Sequence, residues 1–161
     1  AHEYVRAFGP VRPSDFIWWT GVPAKRALAA FATVDTVDVG DRYRLLAEDE
    51  KAFRAVSSPP KGIVDVLPKW DCYPMGYAPD GRRRFVSPDI QEHIYDSVGN
   101  ALGVILVEGM AMGTWDVRIT GSSMTAQVQQ FEHFSSDVQE MLKERLQDIA
   151  SLFGVSLVAV Q

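Results

Sequence analysis

Arginine and lysine side chains occur at three points of this chain where they could contact phosphate. One pair lies near the start of a predicted helix, a second pair shares one face of a predicted strand, and a run of three follows an Asp-Gly turn. Cationic side chains bind phosphate oxygens through charge-assisted hydrogen bonds, so the chemistry they suggest is contact with a nucleic-acid backbone. A solvated surface is the alternative at each point. The predicted contact residues are Lys25, Arg26, Arg42, Arg44, Arg82, Arg83 and Arg84.

A helix-turn-helix pattern would position the first pair. Pro13-Ser14-Asp15 provides start signals for one helix, and Gly21 provides its end. Pro23 then opens a second helix, where its missing N–H costs nothing. Lys25 and Arg26 lie near the N-terminus of that second helix, the part of a recognition helix that meets DNA.

The apolar spacing of these two helices predicts their core. Phe16 and Trp19 fall on one face at i, i+3, and Leu28 and Phe31 repeat that spacing beyond the turn. Trp18 lies off this face. It is either a residue at the boundary of the core or a surface aromatic at an interface.

A hairpin would position the second pair. The segments Val34 to Val39 and Tyr43 to Leu46 flank Gly40-Asp41, which is typical of two strands joined by a tight turn. A hairpin directly after a recognition helix is the wing of a winged helix. A helix over Ala1 to Phe8 would complete that domain.

The remainder predicts a second, α+β domain with an antiparallel sheet and a long C-terminal helix. We expect a winged-helix domain over residues 1–58, a linker from Ser57 to Gly62, and the α+β domain over residues 63–161. Its predicted elements are a strand at Ile63 to Leu67, an irregular loop to Tyr77, a short helix from Ser87 to Asp96, a hairpin of Leu102–Val107 with Met110–Ile119, a strand at Thr125–Phe131, a helix at Asp137–Phe153 and a strand at Val155–Val160.

Charge is distributed unevenly along the chain. The 161 residues carry a net charge of −5, with 47% hydrophobic and 23% charged residues, so the chain can bury a core. Residues 1–62 hold nine Lys/Arg and eight Asp/Glu, whereas residues 63–161 hold seven and thirteen. Because the acidic half is the poorer partner for phosphate, contact with DNA should be local.

Cysteine usage and hydropathy indicate a cytoplasmic protein. Cys72 is the single cysteine, which excludes an intramolecular disulfide and fits a reducing compartment. Apolar runs such as Val104 to Val107 are too short to span a bilayer, so we expect no membrane association. The chain begins with Ala1 rather than Met, which we interpret as a processed chain or a piece of a longer one.

No cofactor or metal is predicted. The three histidines are scattered, and neither a cysteine pair nor an HExxH motif occurs. There is no Walker loop and no GxGxxG, so a nucleotide cofactor has no support. Asp65 and Asp71 could be imagined as an acid/base pair, but nothing fixes their separation, and a loop-capping role suits Asp71 better.

Three motifs together resemble a known family. They are D-F-x-x-W-T-G from Asp15 to Gly21, L-P-x-[WF]-D-x-Y-x-x-G-Y from Leu67 to Tyr77, and G-T-W from Gly113 to Trp115. The chain resembles the winged-helix DNA-binding domain family of crosslink-unhooking, azinomycin-resistance type bacterial DNA glycosylases. The likeness covers essentially all of these residues, but only the C-terminal portion of a full family member.

The resemblance implies tandem winged helices that cradle double-stranded DNA, and base excision without metal or cofactor. It places the catalytic signature, Gln-apolar-Gln or Gln-apolar-Asp, in an N-terminal region outside this chain. Gln127-Val128-Gln129 fits the pattern, but it lies in a predicted C-terminal strand, so no catalytic residue is predicted. The parent protein would be the candidate enzyme, for DNA repair.

The function predicted from the sequence is a DNA-binding module that contacts the duplex backbone as part of a glycosylase-like protein. The alternative is a winged helix that has become a protein-interaction or homodimer module, which the acidic balance and Trp18 favour.

Overall fold

The computed structural model describes residues 1–58 and 61–161. The predicted linker, Ser57 to Gly62, includes Pro59 and Pro60, which lie outside the described residues. The chain divides into two compact units, Ala1–Ser58 with Cys72–Arg82, and Pro59–Asp71 with Arg83–Gln161. We call them the helical unit and the sheet unit. The sequence predicts residues 72–82 in the second domain, whereas by contacts they lie in the helical unit.

The helical unit consists of short helices and one small hairpin. Its elements are α1 (His2–Phe8), α2 (Pro13–Thr20), α3 (Ala24–Phe31), β1 (Thr36–Asp38), β2 (Arg44–Leu46), a 3₁₀ turn (Ala47–Asp49), α4 (Glu50–Ala55) and α5 (Cys72–Met75).

Helices α2 and α3 confirm the predicted start and stop signals. Gly21 ends α2 in the left-handed conformation, at φ +65°, which glycine adopts without steric cost. Pro23 takes the N-cap position of α3. The hairpin is also confirmed, with β1 antiparallel to β2.

An aromatic cluster forms the core of the helical unit. The ring of Tyr4 lies 5.0 Å from Phe8, 5.3 Å from Phe16 and 5.1 Å from Trp19, between centroids. Phe16 and Phe31 are buried as predicted. Trp19 packs on Tyr4 at the edge of the cluster and is 49% exposed, and Leu28 is 47% exposed, so the prediction that these two are core residues is wrong. In α3 the buried side chains are Ala27 and Phe31, at i, i+4, which leaves Leu28 on the adjacent face.

The segment from Cys72 to Arg82 is more regular than predicted. It contains α5 and begins a 3₁₀ helix, Pro79–Arg84, instead of an irregular loop and an exposed turn. The hydroxyl of Tyr4 donates to the carbonyl of Gly76 at 2.6 Å, and that of Tyr77 donates to the carbonyl of Phe8 at 3.0 Å. These bonds hold the segment against α1.

A buried carboxylate completes that attachment. Asp15, which is fully buried in the first turn of α2, accepts hydrogen bonds from the backbone N–H of Arg12 at 2.9 Å, from Nη2 of Arg12 at 2.8 Å, and from the N–H of Ala78 at 3.2 Å. Arg12 also forms an ion pair with Asp80, Nη1 to Oδ2, at 2.8 Å. Hydrogen bonds to Asp15 and then to Asp80 raise the pKa of Arg12 above its ordinary value.

The sheet unit contains one five-stranded sheet in the order β3-β4-β5-β6-β7. Its elements are β3 (Val64–Leu67), β4 (Gly103–Val107), β5 (Met110–Thr120), β6 (Ser123–Gln130), α6 (Ser136–Leu152) and β7 (Ser156–Val160). Neighbours from β3 to β6 pair antiparallel, but β7 is parallel to β6. The prediction of a purely antiparallel sheet is therefore wrong, because α6 carries the chain back across the sheet before β7 begins.

Helix α6 packs its apolar stripe on one face of this sheet. Val138, Leu142 and Leu146 join Ile105 and Ala126 in the core cluster. The apolar spacing of this helix in the sequence predicts a stripe that continues to Leu152 and Phe153, but these residues are 86% and 61% exposed, so that part of the prediction is wrong. The predicted helix from Ser87 to Asp96 is also wrong, as that segment contains only a 3₁₀ turn at Gln91–His93.

Within the described part of the chain, no helix is both long enough and apolar enough to cross a membrane.

Replacing Asp15 tests the importance of the buried carboxylate. Asp15→Asn removes the charge and turns an amide N–H₂ toward donors, so the free energy of unfolding should fall by about 3 kcal/mol, as for other broken buried ion pairs. Chemical denaturation measures this loss. Glu3→Gln, which removes the exposed ion pair with Arg6, is the control and should leave the midpoint unchanged. Equal midpoints for both variants would contradict the assignment.

Candidate nucleic-acid interface

The first turn of α3 is an exposed cationic site of the helical unit. Lys25 and Arg26 are both exposed there, as the sequence predicts. Within residues 1–58 and 61–161, the salt bridges involve neither of them. Pro23 at the N-cap provides no side-chain hydrogen bond, so the N–H groups of this turn lack a capping side chain. The backbone N–H of Arg26 already donates to the carbonyl of Pro23 at 2.8 Å, so the helix dipole and the two cations are what make this turn suited to an anionic group.

The hairpin separates the second predicted pair. Arg42 lies in the turn, at φ +66°, and is exposed, whereas Arg44 lies on β2 and is half-buried. The prediction that the two share a strand face is therefore wrong. The N–H of Arg44 donates to the carbonyl of Val11 at 2.7 Å, which fixes its backbone inside the unit.

Acidic neighbours reduce the positive charge of the hairpin. Asp38 lies opposite Arg44 in the strand register, and Asp41 precedes Arg42 in the turn. Because each arginine has a carboxylate close by in sequence or register, the hairpin carries less net positive charge than the start of α3.

The run of three arginines has three different environments. Arg82, in the helical unit, is 5% exposed, and its guanidinium lies over the ring of Trp18, 5.3 Å from the centroid. Arg83 is exposed and Arg84 is half-buried, both in the sheet unit. The alternative of a solvated basic turn does not fit Arg82, because its side chain packs against Trp18.

Gln127-Val128-Gln129 forms part of β6. Val128 packs against the core cluster on the α6 side of the sheet, so the two glutamines, which are exposed, alternate to the opposite face. No cluster of three or more metal-ligating side chains occurs among the described residues.

The motifs that gave the family resemblance lie at packing contacts in the structure. The indole Nε1–H of Trp115 donates to the carbonyl of Leu67 at 2.7 Å, which joins the G-T-W motif to the start of the L-P motif inside the sheet unit. The C-terminal part of the L-P motif contributes Gly76 and Tyr77 to the helical unit. Sequence reasoning missed the ion pair between the half-buried Arg12 and the fully buried Asp15, for which their i, i+3 spacing at a helix start was the available signal.

Comparison with known families identifies the class of protein. The profile of the family described as DNA glycosylase AlkZ-like matches residues 1–152. The chain therefore belongs to the AlkZ-like DNA glycosylase family, a family of DNA repair.

A solved structure shares the fold. The Streptomyces sahachiroi DNA glycosylase AlkZ superimposes on 99% of this chain with a TM-score of 0.77 and 19% sequence identity. The match covers 43% of the AlkZ chain, so this sequence spans less than half the length of that protein. No match was found among curated protein sequences.

The different environments of Arg82 and Arg83 can be tested by truncation. Arg82→Ala removes a buried side chain and its contact with Trp18, so we expect the free energy of unfolding to fall by about 2 kcal/mol. Arg83→Ala removes an exposed side chain and should change it by less than about 0.5 kcal/mol. Urea denaturation of both variants measures the difference. A similar small effect of both truncations would mean that Arg82 is solvated.

Proposed function

We propose that this chain is a DNA-binding winged-helix module that forms the C-terminal part of a glycosylase-like protein, and that it contacts the backbone of double-stranded DNA. In this proposal α2 and α3 are the helix-turn-helix and the β1–β2 hairpin is the wing. Membership of a DNA glycosylase family supports a DNA substrate. The observation that carries the proposal is the uncapped first turn of α3 with its exposed Lys25 and Arg26.

The proposed contacts differ in weight. Lys25 and Arg26 act together with the dipole of α3, which makes this turn the main phosphate site. Arg42 reaches solvent from the hairpin turn, and Arg83 is an exposed cation of the sheet unit. Arg44 and Arg84 are half-buried and contribute less, while Arg82 supports the unit through Trp18.

This chain contributes binding rather than catalysis. Its one glutamine pair of suitable spacing belongs to an exposed strand face, and Val128 between the glutamines is part of the core. We assign base excision to the remainder of the parent protein, since the chain corresponds to 43% of the AlkZ chain.

One observation favours the alternative, a protein-interaction or homodimer module. Trp19, Val22 and Leu28, on α2, the turn and α3, are all exposed large apolar residues. Solvent-exposed apolar side chains close to a predicted recognition helix suit a protein partner as well as a nucleic acid.

A charge reversal on α3 tests the DNA contact. Lys25→Glu/Arg26→Glu should weaken binding to a duplex at least tenfold at low salt, because it replaces two phosphate contacts with repulsion. Fluorescence anisotropy with a labelled duplex measures the affinity. The salt dependence should also become shallower, since roughly two fewer counterions are released.

A matched variant controls for net charge in that experiment. Lys51→Glu/Lys143→Glu changes the charge of the chain equally at two exposed residues outside the proposed contacts and should bind like the unmodified chain. An equal loss of duplex affinity in both variants would mean that the effect comes from the net charge of the chain and not from the turn of α3. Unchanged affinity together with a stable dimer in sedimentation, its interface covering Lys25, would favour the alternative function.

Excision assays test the proposal that this chain binds DNA while the remainder of the parent protein excises the base. This chain alone should leave a crosslinked or N7-alkylguanine duplex intact over a time in which the full-length parent protein releases the base. Gel analysis after alkaline cleavage of abasic sites measures release. Excision by this chain alone would contradict the assignment of catalysis elsewhere and would make Gln127 and Gln129 the first residues to replace.

A further inference from the structure

The sheet unit contains a cavity that the proposed DNA contact does not use. Its volume is about 770 Å³, and its walls come from β3, the start of β4, β5, β6 and the last turns of α6. Sites for small molecules in proteins enclose about 300–1,000 Å³, so this cavity has the size of a ligand site and not of a packing defect.

Strand alternation makes the wall of this cavity apolar. Trp115 and Val128 are register partners on β5 and β6, and both pack on the core cluster beneath α6. Successive side chains of a strand point to opposite faces. Asp116 and Gln127, the next register pair, therefore present main chain to the cavity and project their polar groups away from it.

Trp115 is held in a fixed orientation in this wall. Its Nε1–H donates to the carbonyl of Leu67 at 2.7 Å. Gly103 lies directly against the ring, since a Cβ at that position would approach Cδ1 and Nε1 of Trp115 to 2.9 Å. With its N–H group already used and its position set, the indole offers its ring surface for packing.

The rim of the cavity exposes further apolar surface. Leu152 and Phe153, at the end of α6, line the cavity and are the residues that the helix pattern assigned to the core. Removing such side chains from water is favourable in proportion to the apolar area covered, so an occupant that covers them gains affinity.

The one cationic side chain at the cavity is engaged elsewhere. The ammonium group of Lys69 lies 5.4 Å from the ring centroid of Trp70. With the carboxylate of Asp116 directed to the other face, no charge is positioned for a charged ligand by the residues that the structure describes.

We propose that this cavity binds an uncharged aromatic molecule of two or three rings, which packs against Trp115 and covers Leu152 and Phe153. The volume exceeds that of a single side chain, and the apolar wall selects against ions because a charge would lose its hydration without a partner. The site is separate from the cationic turn of α3 and requires no DNA.

A fluorescent probe tests this inference on the chain without DNA. N-Phenyl-1-naphthylamine is uncharged, aromatic and bright only in apolar surroundings, and it can be excited outside the tryptophan absorption band. We expect saturable binding of one probe per chain. Absence of saturation up to the solubility limit of the probe would overturn the proposal.

Filling the cavity provides the critical comparison. Val117 lines the cavity on the α6 face, so Val117→Trp should weaken the probe at least about tenfold by occupying its volume. Val158→Trp adds the same ring at an exposed position of β7 outside the cavity and should leave affinity within about twofold of the unmodified chain. Equal affinity in both variants would place the probe elsewhere and overturn the proposal.

If circular dichroism shows that Val117→Trp does not fold, methyl NMR of the unmodified chain locates the bound probe instead. Probe addition should shift the methyl resonances of Val128 and Ile149, which line the cavity. Shifts confined to the helical unit, at Val5 or Leu45, would overturn the proposal.

Discussion

The helical unit depends on a carboxylate that has been removed from water. Asp15 is fully buried, and a charge in that position is tolerable only with hydrogen bonds to its oxygens. Arg12 and the N–H of Ala78 provide them, from the start of α2 and from the returning segment of the chain. The packing is tight as well, since a Cβ on Gly81 would lie 2.6 Å from Oδ1 of Asp15. The orientation of α2, and with it the turn that leads to α3, therefore follows from an interaction 63 residues apart in sequence.

This constraint explains why the most specific sequence motifs contain few residues of chemical interest. The L-P motif divides between the two units: Leu67 accepts from Trp115 in the sheet unit, while Gly76 and Tyr77 bond to α1 in the helical unit. Such residues are restricted by packing and hydrogen bonding, which makes them recognisable in a sequence. Lys25 and Arg26, the main cations proposed to contact DNA, are exposed, and many residue types would suit their positions structurally.

Local signals predicted the elements well because they act within a few residues. Gly21, Pro23 and the turn after β1 each determine the backbone where they stand. Hydrophobic periodicity predicted the buried face of short helices less well, because α3 has only about two turns and two residues determine which face is buried. The i, i+3 spacing predicts Leu28 and Phe31 on that face, whereas the structure buries Ala27 and Phe31. The parallel pairing of β7 and the burial of Arg82 depend on tertiary contacts, which no spacing in the sequence encodes. Of the candidate site, exposure of Lys25 and Arg26 was predictable, whereas the separate environments of Arg42 and Arg44 were not.

The charge distribution limits what the cationic turn of α3 can do alone. Phosphate binding grows with the number of counterions released, and two cations with a short helix provide only a few such contacts. The sequence from residue 63 onward carries six more negative than positive charges, thirteen against seven, which opposes any extensive approach to a polyanion. A module of this kind gains affinity when it is linked to other DNA-binding surfaces, because the second contact then forms at a high effective concentration. Weak local binding at this turn would therefore fit the proposed function, in which the turn of α3 orients a duplex that other surfaces hold. The match to 43% of the AlkZ chain is consistent with that proposal.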